Sequence, residues 1–205
     1  MTHRRIGRWG LAAVASAGLL LVSGGVLAEA PAASANGPGP GFGPMGMQPA
    51  DQRFIVMMIP HHDGAIAMAD LALTRAKRPQ IKALAQRIKA SQTAENAQMR
   101  RWYRQWYGTD VPGWTWGGRG YGMGMGMPGM GTSLAALRTA PDFDRAFIEQ
   151  MIPHHRMGVM MASHAQWNTQ HPELRALEAA MVTAQSREIE QMEQWYRQWY
   201  GSSAW

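Results

Sequence analysis

Residues 51–108 read DQRFIVMMIPHHDGAIAMADLALTRAKRPQIKALAQRIKASQTAENAQMRRWYRQWYG, and residues 144–201 repeat that stretch without a gap at a constant offset of 93. About 25 of the 58 aligned positions are identical. They include Asp51/Asp144, Phe54-Ile55/Phe147-Ile148, Met58-Ile59-Pro60-His61-His62/Met151-Ile152-Pro153-His154-His155, and Trp102–Gly108 against Trp195–Gly201. Agreement of this extent makes the chain an internal duplication, and the architecture follows from one unit read twice.

Each unit reads as a helical hairpin. Phe54, Met58, His61, Ala65, Met68 and Ala72 fall at intervals of four and three, as do Ile55, Ile59, His62, Ile66, Ala69 and Leu73. That period marks the inward stripe of an α-helix. The second unit repeats both lines, through Phe147, Met151, His154, Gly158, Met161 and Ala165, and through Ile148, Ile152, His155, Val159, Ala162 and Gln166. Breaks at Lys77-Arg78-Pro79 and Gln170-His171-Pro172 put proline in the first turn of the following helix, where its missing N–H costs nothing. Gly108 and Gly201 are suited to stop those helices. Four helices of about 25 residues on two short-linked hairpins predict an all-α protein, a four-helix, ferritin-like bundle forming one domain. Nothing in either unit alternates like a strand.

The flanking segments differ in kind. Residues 1–28 carry a basic lead (Arg4, Arg5, Arg8), an apolar run and the small-x-small ending Val26-Leu27-Ala28, which predicts a cleaved signal peptide. Its apolar run is shorter than the ~20 residues of a membrane span. Segments 29–49 and 110–140, rich in glycine, proline and methionine, predict flexible linkers around hairpins 50–109 and 141–205. The expected location is therefore outside the cytoplasm, periplasmic or secreted, with no stable membrane anchor after cleavage. Removing the leader takes away three arginines and no acid, lowering the formal charge from +6 to +3. That residue of charge is too small and scattered to argue for nucleic acid.

There are no cysteines and 17 methionines among 205 residues. Disulfides, thiolate ligation and cysteine catalysis are excluded, and the methionine excess requires a reason. Pro60 and Pro153 sit well inside their helices, at a cost of roughly 3 kcal/mol each, and both precede a His-His pair. Met58, His61, His62 and Met68 lie on one side of the first helix, and Met151, His154, His155 and Met161 on the equivalent side of the third. Met157 and His164 extend the second set, so that His154, Met157, Met161 and His164 descend at intervals of three, four and three. Imidazole suits several transition metals, whereas neutral thioether sulfur selects Cu(I), with Ag(I) as its mimic. Zinc favours cysteine, histidine or carboxylate. The expected cargo is copper, chiefly Cu(I), with Cu(II) at the more histidine-rich positions. Bland readings stand beside these: methionine as core filler and buried histidine as structure. Met45, Met47, Met123, Met125, Met127 and Met130 form a second population in the linkers, read equally as a copper-catching arm or as tolerated low complexity. The aromatics Trp102, Trp106, Trp195 and Trp199 predict packing at a bundle end, with a cation–π contact to Cu(I) as the alternative.

The run Phe54-Ile55-x-x-Met58-Ile59-Pro60-His61-His62-Asp63-Gly64-Ala65-Ile66-x-Met68-Ala69 resembles the domain-of-unknown-function family number 305, which includes the CopM-like periplasmic copper-binding proteins. The resemblance covers nearly all of 51–108 and 144–201. It implies a ferritin-like helical bundle and copper binding at Met58, His61, His62, Met68, Met151, His154, His155 and Met161. The second unit departs from the motif, with Arg156 in place of Asp63 and Met157 in place of Gly64; an inward arginine there would disfavour a cation.

The resulting expectation is an exported protein that sequesters or chaperones copper, partnered by the metal ion and a copper donor or acceptor protein. Two other classes compete. A copper- or iron-dependent oxidoreductase on the same bundle is one, but di-iron chemistry wants Glu-x-x-His motifs; none occurs, and Glu95 and Glu188 have no histidine partner at that spacing. A metal-independent signalling or adaptor bundle with pH-responsive histidines is the other.

Overall fold

The computed structural model describes residues 48–112 and 134–201. The predicted signal peptide, the linker up to residue 47, and linker methionines Met45, Met47, Met123, Met125, Met127 and Met130 lie outside the described residues. Among those described, the order is α1 (Ala50–Arg75), α2 (Pro79–Tyr107), α3 (Leu134–Thr139), α4 (Phe143–Ala165) and α5 (Pro172–Tyr200), with no strand.

The predicted punctuation is where the chemistry put it. Pro79 and Pro172 open α2 and α5, while Gly108 and Gly201 close them in the left-handed conformation, at φ 67° and 71°. Glycine adopts that backbone without the Cβ penalty, and each cap N–H bonds the carbonyl four residues back. Both α1 and α4 run uninterrupted through Pro60 and Pro153. One expectation fails locally: the end of the segment 110–140 is not a linker but the short helix α3. Its six residues hold no glycine, and its Leu137 is fully buried in the cluster that contains Phe143 and Phe147, which anchors them.

The hairpins α1–α2 and α4–α5 meet mainly through α1 and α4, with α2 and α5 outside that pair and touching each other less. α1 and α4 run antiparallel. The end of α1 (Ala65, Met68, Ala69, Ala72) packs with the start of α4 (Phe143, Phe147, Ile148, Met151) in one buried cluster. The start of α1 (Phe54, Ile55, Met58, Ile59) packs with Ala162 and Ala165 of α4 in another. Burying each large side chain there contributes about 1.5–3 kcal/mol.

Two buried carboxylates lock the hairpins together. Asp144, at the start of α4, accepts from the backbone N–H groups of Lys77 (3.0 Å) and Arg78 (2.9 Å) in the α1–α2 turn, and from the Arg78 guanidinium (3.1 Å). Asp51, at the start of α1, reciprocates in the α4–α5 turn, accepting from Gln170 N–H (2.9 Å), His171 N–H (3.0 Å) and the His171 ring (2.5 Å). A tryptophan from the other hairpin packs on each of these turn side chains. The Arg78 guanidinium lies 4.4 Å from the Trp199 ring centre, and the His171 ring stacks on Trp106 at 3.6 Å. The repeated Trp-Tyr-Arg-Gln-Trp-Tyr ending thus serves bundle-end packing, with the Arg78 guanidinium on Trp199 and the His171 imidazole on Trp106.

Asp144→Ala strands two helix-start N–H groups and a half-buried guanidinium, and should destabilise the fold by about 3 kcal/mol. Urea unfolding followed by circular dichroism checks this, and an unchanged midpoint would contradict the lock. Asp51→Ala should behave alike.

Candidate metal centre

The antiparallel crossing brings the two His-His pairs to one place. His61 and His154 stack with ring centres 3.8 Å apart and planes 29° from parallel. The His61 Nε2–H donates to the backbone carbonyl of His154 (3.1 Å), and the His154 ring bonds the His61 backbone in return. His62 and His155 lie one step outward on each helix, their ring centres 6.3 Å from those of His61 and His154. Each donates Nε2–H to a carboxylate of its own hairpin's outer helix, His62 to Glu95 and His155 to Glu188, both at 2.7 Å. Glu95 and Glu188, without a partner along the sequence, therefore do have histidine partners in space; the spacing that brings them together is that of a hairpin, not of one helical turn.

These bonds fix the chemistry of the other ring nitrogen. With Nε2 carrying the proton, Nδ1 of a neutral imidazole presents a lone pair. All four Nδ1 atoms are buried and have no hydrogen-bond partner. Burial pushes His61 from its ordinary 6.5 down to about 3, with repulsion from His62 and His155 adding to the effect. His154 is pushed well below its ordinary value, again by burial first and then by His61, His155 and His62. An imidazole with one nitrogen held by a carboxylate or carbonyl and the other left open is the usual protein arrangement for a metal ligand.

The methionines split between the two ends of the crossing. Met58 is fully buried in the cluster that Met161, half-buried, packs against, whereas Met68 and Met151 are buried together in the other. A set drawn on one helix is thus shared between two, with thioethers of both repeats on either side of the stacked rings. Met99 and Met192, identical across the repeat and fully buried, join Met58 and Met151 respectively; Gln92 and Gln185 are buried too, each with Oε1 unpartnered. Their signal was available, since they are identities of the repeat within the second helices. Gly158 makes room here: a Cβ on it would overlap Gln185 Oε1 and come within 3.0 Å of His61 Cε1. Arg156 does not point inward. It is exposed and ion-paired with Glu193 at 2.8 Å. The line His154, Met157, Met161, His164 does not stay in the core either, passing from a buried imidazole through half-buried Met157 and Met161 to an exposed His164.

Among the described residues, no three His, Asp or Glu side chains are gathered so as to hold a metal ion. Imidazole nitrogen and thioether sulfur together would suit a soft monovalent ion.

The family model described as Domain of unknown function (DUF305) matches residues 51–196. The chain belongs to the DUF305 family. Among solved structures it resembles CopM in the Cu(I)-bound form, with 45% identity and a TM-score of 0.66 over 75% of this chain and 100% of that one. It also resembles CopM in the Cu(II)-bound form, at 49% identity and 0.67 over 73% and 97%. A DUF305 protein from Streptomyces coelicolor shares 28% identity and a TM-score of 0.64 over 76% and 96%. No curated protein matches the chain. The membership accounts for the all-helical fold, and the CopM likeness extends through both hairpins of this DUF305 protein.

The depressed histidines give a testable pH dependence. Unfolded, His61 and His154 take up protons near pH 6.5; folded, His61 resists until about 3. The unfolded state then binds more protons, so stability falls with falling pH below 6.5, by up to about 1.4 kcal/mol per pH unit for each histidine. Urea midpoints of the native chain should drop between pH 7 and 5, opposed in part by Glu178, whose carboxyl burial pushes up to about 7. The slope should be shallower in His61→Gln/His154→Gln, and equal slopes would contradict the assignment.

Proposed function

We propose that this DUF305 protein is an exported copper-binding protein that sequesters or chaperones Cu(I) through the histidine and methionine side chains at the α1/α4 crossing. The observation that carries the reading is the set of four buried imidazoles whose Nδ1 atoms lack any partner, flanked by buried thioethers. His61, His62, His154 and His155 would supply nitrogen, and Met58, Met68, Met151 and Met161 sulfur. Glu95 and Glu188 would orient His62 and His155 and raise their basicity. Thioethers favour Cu(I) and Ag(I), and imidazoles extend the range to Cu(II); the CopM structures, solved with Cu(I) and Cu(II), support this range. Export is supported by the basic, apolar, small-residue leader. No helix among the described residues is long and apolar enough to cross a membrane.

Competition between the mature protein and a chromophoric Cu(I) chelator, with Zn(II) titrated in parallel, tests the reading. Tight Cu(I) uptake with little Zn(II) uptake is expected, and no Cu(I) uptake would overturn it. Glu95→Gln with Glu188→Gln should weaken Cu(I) binding about 10- to 100-fold while leaving helical content intact. Undiminished affinity would remove the two glutamates from the site.

A further inference from the structure

The duplication provides its own control: where one repeat gains chemistry-bearing residues on a face that the other leaves plain, the gain needs a reason beyond the fold. One such face exists. Met157, Met160, Met161 and His164 fall within about 100° of arc on α4, and Trp167 follows in the turn just past the helix. The first repeat has Gly64, Ala67, Met68, Leu71 and Thr74 at those registers, so only Met161 has a like counterpart.

Their surroundings separate these residues from the buried crossing. Met160 is 55% exposed and Trp167 86%, and they are the large hydrophobic side chains left exposed among the described residues. His164 is exposed between them, and Met157 and Met161 are half-buried alongside. Met157–Met160, Met157–Met161, Met160–His164 and Met161–His164 are all spaced three or four residues apart, which places side chains about 5–6 Å apart at Cβ on one helix surface. Flexible thioether arms can close that gap around an ion that accepts few donors. An exposed methionine gains nothing from hydrophobic burial, but it offers a soft donor directly to solvent. An exposed indole beside it can add a cation–π contact.

Resting on the copper reading above, we infer that Met157, Met160 and His164 form a second, solvent-open Cu(I) site on the outer face of α4, separate from the buried crossing and joined to it by Met161 of that crossing, and that this site serves to load it. The buried donors lie at the α1/α4 contact, where an arriving ion meets no solvent-exposed ligand. The ridge begins in solvent at His164 and runs along the same helix toward His154, so soft donors continue from outside to inside.

The test uses the mature full chain with methyl-13C methionine and Ag(I) as a diamagnetic probe. Methionine methyl signals are assigned through single Met→Leu variants, which keep volume and helix propensity. The ε-methyls of Met157 and Met160 should shift on Ag(I) addition, and His62→Ala/His155→Ala should leave those shifts in place. Met157→Leu/Met160→Leu should lose one equivalent of Ag(I) and load Cu(I) from a chelate several-fold more slowly, while the affinity of the remaining site is unchanged. Shifts at Met58 and Met151 with Met157 and Met160 unmoved would overturn the ridge and leave the copper function standing. Ridge shifts together with full stoichiometry and an unchanged loading rate in the double variant would overturn the loading role. No methionine shift and no metal uptake would sink the copper reading itself and the ridge with it.

Discussion

Two aspartates hold this molecule in its shape. Asp51 and Asp144 are each about 1% exposed, and neither is satisfied within its own hairpin. A carboxylate taken out of water requires donors, and a helix start requires acceptors. The chain resolves both needs at once by letting the first turn of one hairpin receive the unpaired N–H groups at the bend of the other. Since this happens twice in opposite senses, each hairpin's bend is capped only when the other hairpin is in place. Arg78 and His171 then sit between an aspartate on one side and a tryptophan on the other. The antiparallel register of α1 and α4 follows, and it sets His61 against His154.

At that crossing the fold tolerates what cores normally avoid. Four imidazoles and Gln185 are buried, and several of their polar atoms have no partner. Their Nε2 protons are committed to carbonyls and carboxylates, so the uncompensated groups are all acceptors or lone pairs. Such a core loses stability in acid, when His61 and His154 can take up protons in the unfolded chain that they refuse when folded, and it is chemically suited to a cation that brings little charge and prefers soft, neutral donors.

Much of this was legible in the sequence because the repeat is read twice. The two apolar lines predicted for α1 turn out buried from Phe54 to Ala72, apart from half-buried Ile66 and Leu73, and the proline and glycine positions set the helix ends. Hairpin-internal facts were thus accessible from periodicity and backbone chemistry. What periodicity cannot supply is which helices face each other and in which direction. For that reason the methionines of one helix were grouped together although the antiparallel crossing divides them, and Glu95 and Glu188 were judged only against neighbours along the chain. The constant offset already marked Gln92/Gln185, Glu95/Glu188 and Met99/Met192 as pairs. α3 escaped because six residues carry too little pattern, and its order comes from Leu137, buried in the cluster that contains Phe143 and Phe147.

The His61–His154 stack lies where the two repeats exchange places. A residue in that position meets its own equivalent, as it would on the axis of an isologous pair of identical subunits. A lone hairpin carrying this sequence could cap its bend and cover its apolar stripe only by associating with a second copy of itself, and its histidine core would then be symmetric by necessity. Joining the copies in one chain removes that necessity without disturbing the central contact. The histidines at the junction stay alike, while residues away from it, such as Gly64 and Met157, are free to become different. Covalent fusion thus turns a symmetric pair into a molecule with an inside that is shared and an outside that is not.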